Sequence, residues 1–331
     1  RVHPFVLEEP TGVTFALYTR MREDPAWIAE TFADMRAHGM TSVALCGNAG
    51  LALSVEEGRP RIDWNGESAL ERNMAAYVDT GFPEPMVWLM GGDIPKFCET
   101  IAPIDTPEFA EAYTGILRGI VEHGREVGWP EIIFQPVDEP FEHEARLERA
   151  KRLLELLRTI PGLRTEEDGM NGHWENFTED FYRLSDVLVL HDGPVLHRGI
   201  LDMDAWWNFY GKAMKDGKTI WFYNIDLTGW HPEPMRFMAG CGLWKSKAQG
   251  VIEWAYMWPV EPADPAAVYS KPGALLYRFP ETAGCSGGPT IGYEAFQQGI
   301  NDYRYLLTLR TLCDEAIASG DAERRALAAA I

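Results

Sequence analysis

Short apolar runs alternate with longer amphipathic ones along the chain. Residues 13–19 (VTFALYT), 42–46 (SVALC), 85–90 (PMVWLM), 132–137 (IIFQPV), 186–190 (DVLVL), 219–223 (TIWFY) and 250–256 (GVIEWAY) predict strands, and 163–166 a weaker one in fifth place. Between them the period lengthens. Trp27, Ile28, Phe32 and Met35 share one face of a helix over 25–38. Leu147, Ala150, Leu154 and Leu157 do the same over 145–160, and Phe296, Ile300, Tyr303 and Leu307 over 293–319. Further helices are predicted over 68–80, 106–127, 176–184, 204–215 and 234–247. Thr106-Pro107 opens the third of the eight helices with a hydroxyl cap and a proline in the first turn.

Eight strand–helix units follow one another with no linker, repeat or low-complexity segment. That pattern predicts a (β/α)8 TIM barrel occupying 1–331 as a single domain. A doubly wound sheet also alternates in this way, but it usually has fewer strands and a Gly-rich phosphate turn. Neither G-x-G-x-x-G nor a Walker motif is present, and no cofactor is expected.

In such a barrel the site lies where the strands end. Read in order, the polar and aromatic residues at or after the strand ends are Tyr18 and Arg20, Asn48, Trp88 and Asp93, Asp138 and Glu139, Asp168 and Asn171, His191 and Asp192, Tyr223 with Asn224 and Asp226, and Glu253 with Trp254 and Trp258. The sharpest signal is Val137-Asp138-Glu139-Pro140 after the fourth strand. Glycosidic cleavage needs one acid to protonate the leaving oxygen and a second carboxylate to stabilise or activate the attacking group. Two adjacent carboxylates also raise each other's proton affinity. The competing reading is a solvated turn.

His191 can orient a hydroxyl or rest on local backbone. Asp226 and Glu253 read equally as hydroxyl ligands, a second catalytic carboxylate, or structural ion pairs. Trp254 and Trp258 are candidates to wall a sugar, whereas mid-strand Trp221 is expected between barrel and helices. Glu166-Glu167-Asp168 reads as a solvated charge cluster. No H-x-H or H-E-x-x-H spacing points to a metal. No G-x-S-x-G elbow points to a serine hydrolase triad.

Composition narrows the partners. Fifty Asp and Glu against 30 Lys and Arg give a formal charge of -20, which repels nucleic acid and anionic membranes. With at least four carboxylates near one mouth, a neutral sugar is the expected substrate. Twelve Trp suit a protein that stacks aromatic faces on sugar rings. No apolar run is long enough for a membrane span, and five scattered Cys form no CxxC pair.

Three stretches stand out: Pro234-Met235-Arg236-Phe237 with 240–244, then Gly250-Val251-Ile252-Glu253-Trp254-Ala255-Tyr256, and the segment 293–306 (YEAFQQGINDYRYL). They resemble glycoside hydrolase family 123 and its relatives. The pair Asp138-Glu139 matches the family's catalytic Asp-Glu. The resemblance covers most of residues 85–310 and is strongest beyond 230. It implies a retaining exo-acting enzyme that releases a terminal β-linked N-acetylhexosamine, N-acetylgalactosamine above all. In that chemistry the substrate's own 2-acetamido oxygen attacks the anomeric carbon. Glu139 would be the general acid/base, Asp138 would polarise the acetamide N–H, and Tyr223 would bond the acetamide oxygen. Trp254 would enclose the acetyl methyl.

The resemblance also implies a secreted, periplasmic or surface location and a β-sandwich ahead of the barrel, which these residues do not contain. Glu253 stands where relatives often carry Arg. An anion there disfavours an anionic sugar and favours a neutral hydroxyl or an amine. Two other readings stay open. One is a glycosidase with Asp226 or Glu253 as nucleophile, acting on a sugar without the acetamido group. The other is an inactive sugar-binding barrel.

Overall fold

The computed structural model describes residues 6–140, 144–169, 179–191, 203–223, 232–257, 277–279 and 287–330. Eight parallel strands close into a barrel, in the order β1 (Thr14–Arg20), β2 (Ala44–Gly47), β5 (Met86–Met90), β6 (Ile132–Gln135), β7 (Arg164–Gly169), β8 (Val187–His191), β9 (Thr219–Tyr223) and β10 (Gly250–Glu253), with β10 pairing back onto β1. The expected TIM barrel is therefore present, with each of the eight expected strands in its place.

The helices around it are α1 (Pro25–Ala37), α2 (Ala69–Thr80), α3 (Asp93–Glu99), α4 (Pro107–Val127), α5 (Glu144–Leu157), α6 (Glu179–Leu184), α7 (Met203–Lys215), α8 (Pro232–Phe237), a π-helical turn (Met238–Gly242) running into α9 (Leu243–Ser246), α10 (Ile291–Ala318) and α11 (Ala322–Ala329). The cap expected at Thr106 is in place, and a second, unforeseen one precedes α1. Asp24 caps α1 ahead of Pro25, and the Thr106 hydroxyl accepts from the Phe109 N–H. An unforeseen hairpin of β3 (Ala52–Glu56) and β4 (Arg59–Asp63) follows β2 and packs on α4. Its alternation is largely exposed and weakly apolar, so it carries little hydrophobic signal.

Strand alternation sorts side chains into two cores. Ala16, Tyr18, Ala44, Cys46, Val87, Leu89, Ile133, Val187, Val189, Trp221, Tyr223 and Ile252 fill the barrel. Phe15, Leu17, Trp88, Phe134, Leu188 and Phe222 face the helices and join a larger core with Phe32, Tyr77, Tyr113, Leu154 and Phe296. Trp221 thus lies inside the barrel and not in the outer layer expected of it. Gly250 makes the room. A Cβ there would sit 2.6 Å from Trp221 Cδ1 and 2.8 Å from the Thr14 carbonyl, so only glycine lets β10 pass this ring.

β7 departs most from expectation. It runs three residues past the predicted end, and its acids are not solvated. Glu166 and Glu167 are fully buried and Asp168 is 4% exposed. The thiols of Cys46, Cys98, Cys241 and Cys313 are free, and Cys285 lies outside the described residues. Among the described residues no helix is long and apolar enough to cross a membrane.

Candidate active site

β6 ends at Gln135, and the chain turns through Pro136 and Val137 to Asp138, Glu139 and Pro140. Asp138 is exposed and Glu139 half-buried. Glu139 has φ = 39°, a left-handed conformation that costs a non-glycine residue roughly 1–2 kcal/mol. Pro140 disfavours the right-handed helical alternative. The Glu139 backbone N–H donates to Asp168 Oδ1 at 3.1 Å, tying the turn to the end of the neighbouring strand. A strained residue fixed by a buried carboxyl at the mouth of a barrel is a mark of a functional position.

Asp138 sits where its charge reaches much of the barrel. It raises the proton affinity of Tyr18 on β1, Cys46 on β2, Glu166, Glu167 and Asp168 on β7, and Tyr223 on β9. Burial is the larger cause in each case. The Asp168 carboxyl is pushed up to about 7 by burial, then by the charges of Asp138 and Glu139. Glu166 and Glu167 are held well above the ordinary carboxylate range, again by burial first. Neither Glu166 oxygen has a hydrogen-bond partner. An unpaired carboxylate in such a place is costly, so burial favours the protonated form of Glu166. Both Glu167 oxygens likewise lack a hydrogen-bond partner, and burial raises their proton affinity in the same way.

Aromatic rings complete the mouth. Tyr18 packs edge-on against Tyr223 at 6.1 Å and tilted against Trp254 at 5.5 Å, and its hydroxyl donates to Gln135 Oε1 at 3.1 Å. The Tyr223 hydroxyl is raised well above its usual pKa by burial and by Asp168, Glu253, Glu139 and Asp138, so it remains a neutral donor near all four. Trp254, Asn48, Arg20, Arg22, Cys46 and Gly47 line a cavity of about 830 Å³ at the ends of β1, β2 and β10.

This rim is anchored. The Tyr256 N–H donates to the Tyr18 carbonyl at 2.8 Å, and the Tyr256 hydroxyl donates to Asp34 Oδ2 at 2.9 Å. The Arg278 guanidinium holds Asp34 Oδ1 at 2.8 Å. Gly91 leaves space for Asn48, since a Cβ there would fall 2.1 Å from Asn48 Oδ1.

Of the residues selected from sequence, Asp138 and Glu139 bring their charges to bear on Tyr223, Trp254 joins Tyr223 through Tyr18, and Asn48 lines a cavity with Trp254. The structure does not bring Trp88 with them. Trp88 is fully buried among outer-layer residues, against Phe134, because odd positions of β5 point inward and it is even. Glu253 is also fully buried. Its register beside Leu17 puts it on the helix-facing side of β10, although its charge reaches Tyr223 and Tyr277. His191 pairs with Tyr223 at the top of β8, and its side chain lies outside the described residues. Asp192, Asn224, Asp226 and Trp258 lie outside them altogether.

Tyr18 and Asp168 were named only as strand-end residues and given no role, and Cys46 and Glu166 were not selected. Tyr18 and Cys46 were legible, since strict alternation from Phe15 and Val43 turns them inward. The acids were hidden by their own polarity. No group of three or more potential metal ligands is found among the described residues.

No family model and no curated protein matches the sequence. Solved structures do match in fold. A family 123 glycoside hydrolase from Clostridium perfringens aligns with TM-score 0.60 at 14% identity, over 98% of this chain and 69% of that one. An endo-1,4-beta-mannanase from Rhizomucor miehei aligns with TM-score 0.54 at 10% identity, over 89% and 95%. At these identities the likeness is one of architecture, and it is the (β/α)8 barrel that is shared.

Proposed function

We propose that the protein is a glycoside hydrolase, with Glu139 as general acid/base and Asp138 beside it. The observation that carries this reading is the turn after β6. There an acid in a left-handed conformation is held by a buried carboxyl, under a rim of Tyr18, Tyr223 and Trp254. Such a rim suits a sugar ring, and paired carboxylates suit cleavage of its glycosidic bond. Two structures of the same architecture are glycoside hydrolases, which supports the class.

The finer reading is release of a terminal β-linked N-acetylhexosamine with the substrate's own acetamido oxygen as nucleophile. Asp138 then accepts the acetamide N–H, and Tyr223 donates to the oxygen as it attacks. Glu139 protonates the leaving oxygen and afterwards deprotonates the incoming water. The burial and outward register of Glu253 count against it as a protein nucleophile.

The test is hydrolysis of matched aryl β-hexosides with and without a 2-acetamido group. Turnover confined to the acetamido compounds is the expected result. Equal turnover of the plain hexosides excludes substrate assistance. Sugar binding without turnover of any member excludes the enzyme.

A further inference from the structure

We infer that Asp168 is a positioning residue for the reaction proposed above. It holds the Glu139 turn through the backbone and sets the charge state of the Asp138–Glu139 pair from below. This rests on the glycosidase reading and goes beyond it, because Asp168 reads as part of a solvated acidic run in the sequence.

The geometry is specific. Asp168 is the last side chain of β7 before Gly169, on the inward register shared with Val189. Its Oδ1 accepts the Glu139 N–H at 3.1 Å, and Glu139 has φ = 39°. A turn of two acids ahead of a proline has no intrinsic reason to adopt this conformation. The buried acceptor supplies one. The groups facing Asp168 are Asp138 and Glu139 from the turn after β6, Glu166 and Glu167 from its own strand, Tyr18 from β1 and Tyr223 from β9. On β8, His191 lies opposite Tyr223 in register.

An Asp168 anion among these acids opposes ionisation of its neighbours, so it keeps a proton available on the catalytic pair. Protonation of Asp168 as pH falls through about 7 removes that effect. One side chain thereby fixes where the acid sits and over what pH range it holds its proton.

Two substitutions separate the parts. Asp168→Asn keeps an oxygen acceptor for Glu139 and removes the charge. Asp168→Ala removes both. On the best aryl glycoside of the panel, Asp168→Asn should move the basic limb of kcat/KM to lower pH by about half a unit or more, with KM changed less than about threefold. Asp168→Ala should lose at least about tenfold in kcat at every pH, and Asp168→Asn should recover part of that loss at its own optimum.

Thermal melts identify a variant that has simply unfolded. Carbon-13 titration of the Glu139 carboxyl reads the same coupling without turnover, and its midpoint should fall in Asp168→Asn. A wild-type protein that cleaves no member of the panel refutes the glycosidase reading, and the carbon-13 titration then decides the coupling alone. An active wild type whose pH limbs and Glu139 midpoint are unmoved in Asp168→Asn overturns the inference.

Discussion

β7 and β8 lie side by side, paired from Glu166 opposite Val187 to Gly169 opposite Leu190. They are equally shut off from water. β8 turns Val187 and Val189 into the barrel and Leu188 toward the helices, all fully buried. β7 puts Glu166, Asp168 and Glu167 in the matching places. Burial alone therefore does not set the composition of a barrel strand. Along β7 the fold accepts the desolvation of its carboxyls, and burial favours their protonated forms. β8 has an apolar inner face, and β7 ends beneath Asp138 and Glu139.

The contrast can be broken most sharply by moving an acid across it. Val189→Asp places a carboxyl on β8 at the position paired with Asp168. Without a turn to hold, it should lower unfolding free energy by about 3 kcal/mol or more at pH about 7 in urea unfolding. A loss below about 1 kcal/mol would mean that this interior accepts acids anywhere, and the β7 acids would carry no functional information.

A smaller effect separates the mouth from the outer layer. Trp254→Ala should reduce kcat/KM by about tenfold, with thermal stability little changed. Trp88→Phe should leave kcat/KM within about twofold and reduce stability through the lost packing against Phe134. The reverse pattern would exchange the roles given to these two residues.

The smallest effect lies in the pH dependence of stability. Glu166 binds its proton more tightly folded than unfolded. The unfolded carboxyl ionises around its ordinary value of 4.5. Its contribution is therefore fully present below that value and is lost as pH rises through the higher folded one. Asp168 adds the same sign as pH climbs toward its own value of about 7. Wild-type stability should fall as pH rises from about 5 through about 7, and Glu166→Gln should flatten that fall. An unchanged slope in the variant would show that burial does not raise the proton affinity of Glu166.

The architecture was legible because apolar periodicity follows burial, and seven of the eight barrel strands obey it. β7 was only half legible. Leu163 and Thr165 signal its start, but Glu166 to Asp168 carry no hydrophobic mark, so the apolar pattern stops before the strand does. The left-handed turn was invisible for a different reason. Glu139 is not glycine, and the bond that holds it comes from 29 residues away. Trp88 was misplaced because the end of a strand indicates height in the barrel, while the parity of the position decides which way a side chain points. Counting parity from Val87 would have turned Trp88 outward. The same count from Ile252 puts Glu253 on the outer side.

Glu139 is the proposed acid/base, so the most direct measurement is kcat/KM of Glu139→Gln beside wild type on an aryl glycoside that wild type cleaves. The variant should melt within a few degrees of wild type, with a loss of at least about a hundredfold for a substrate whose leaving group needs protonation. A folded Glu139→Gln protein that keeps full activity would contradict the assignment of the β6 turn as the reacting centre.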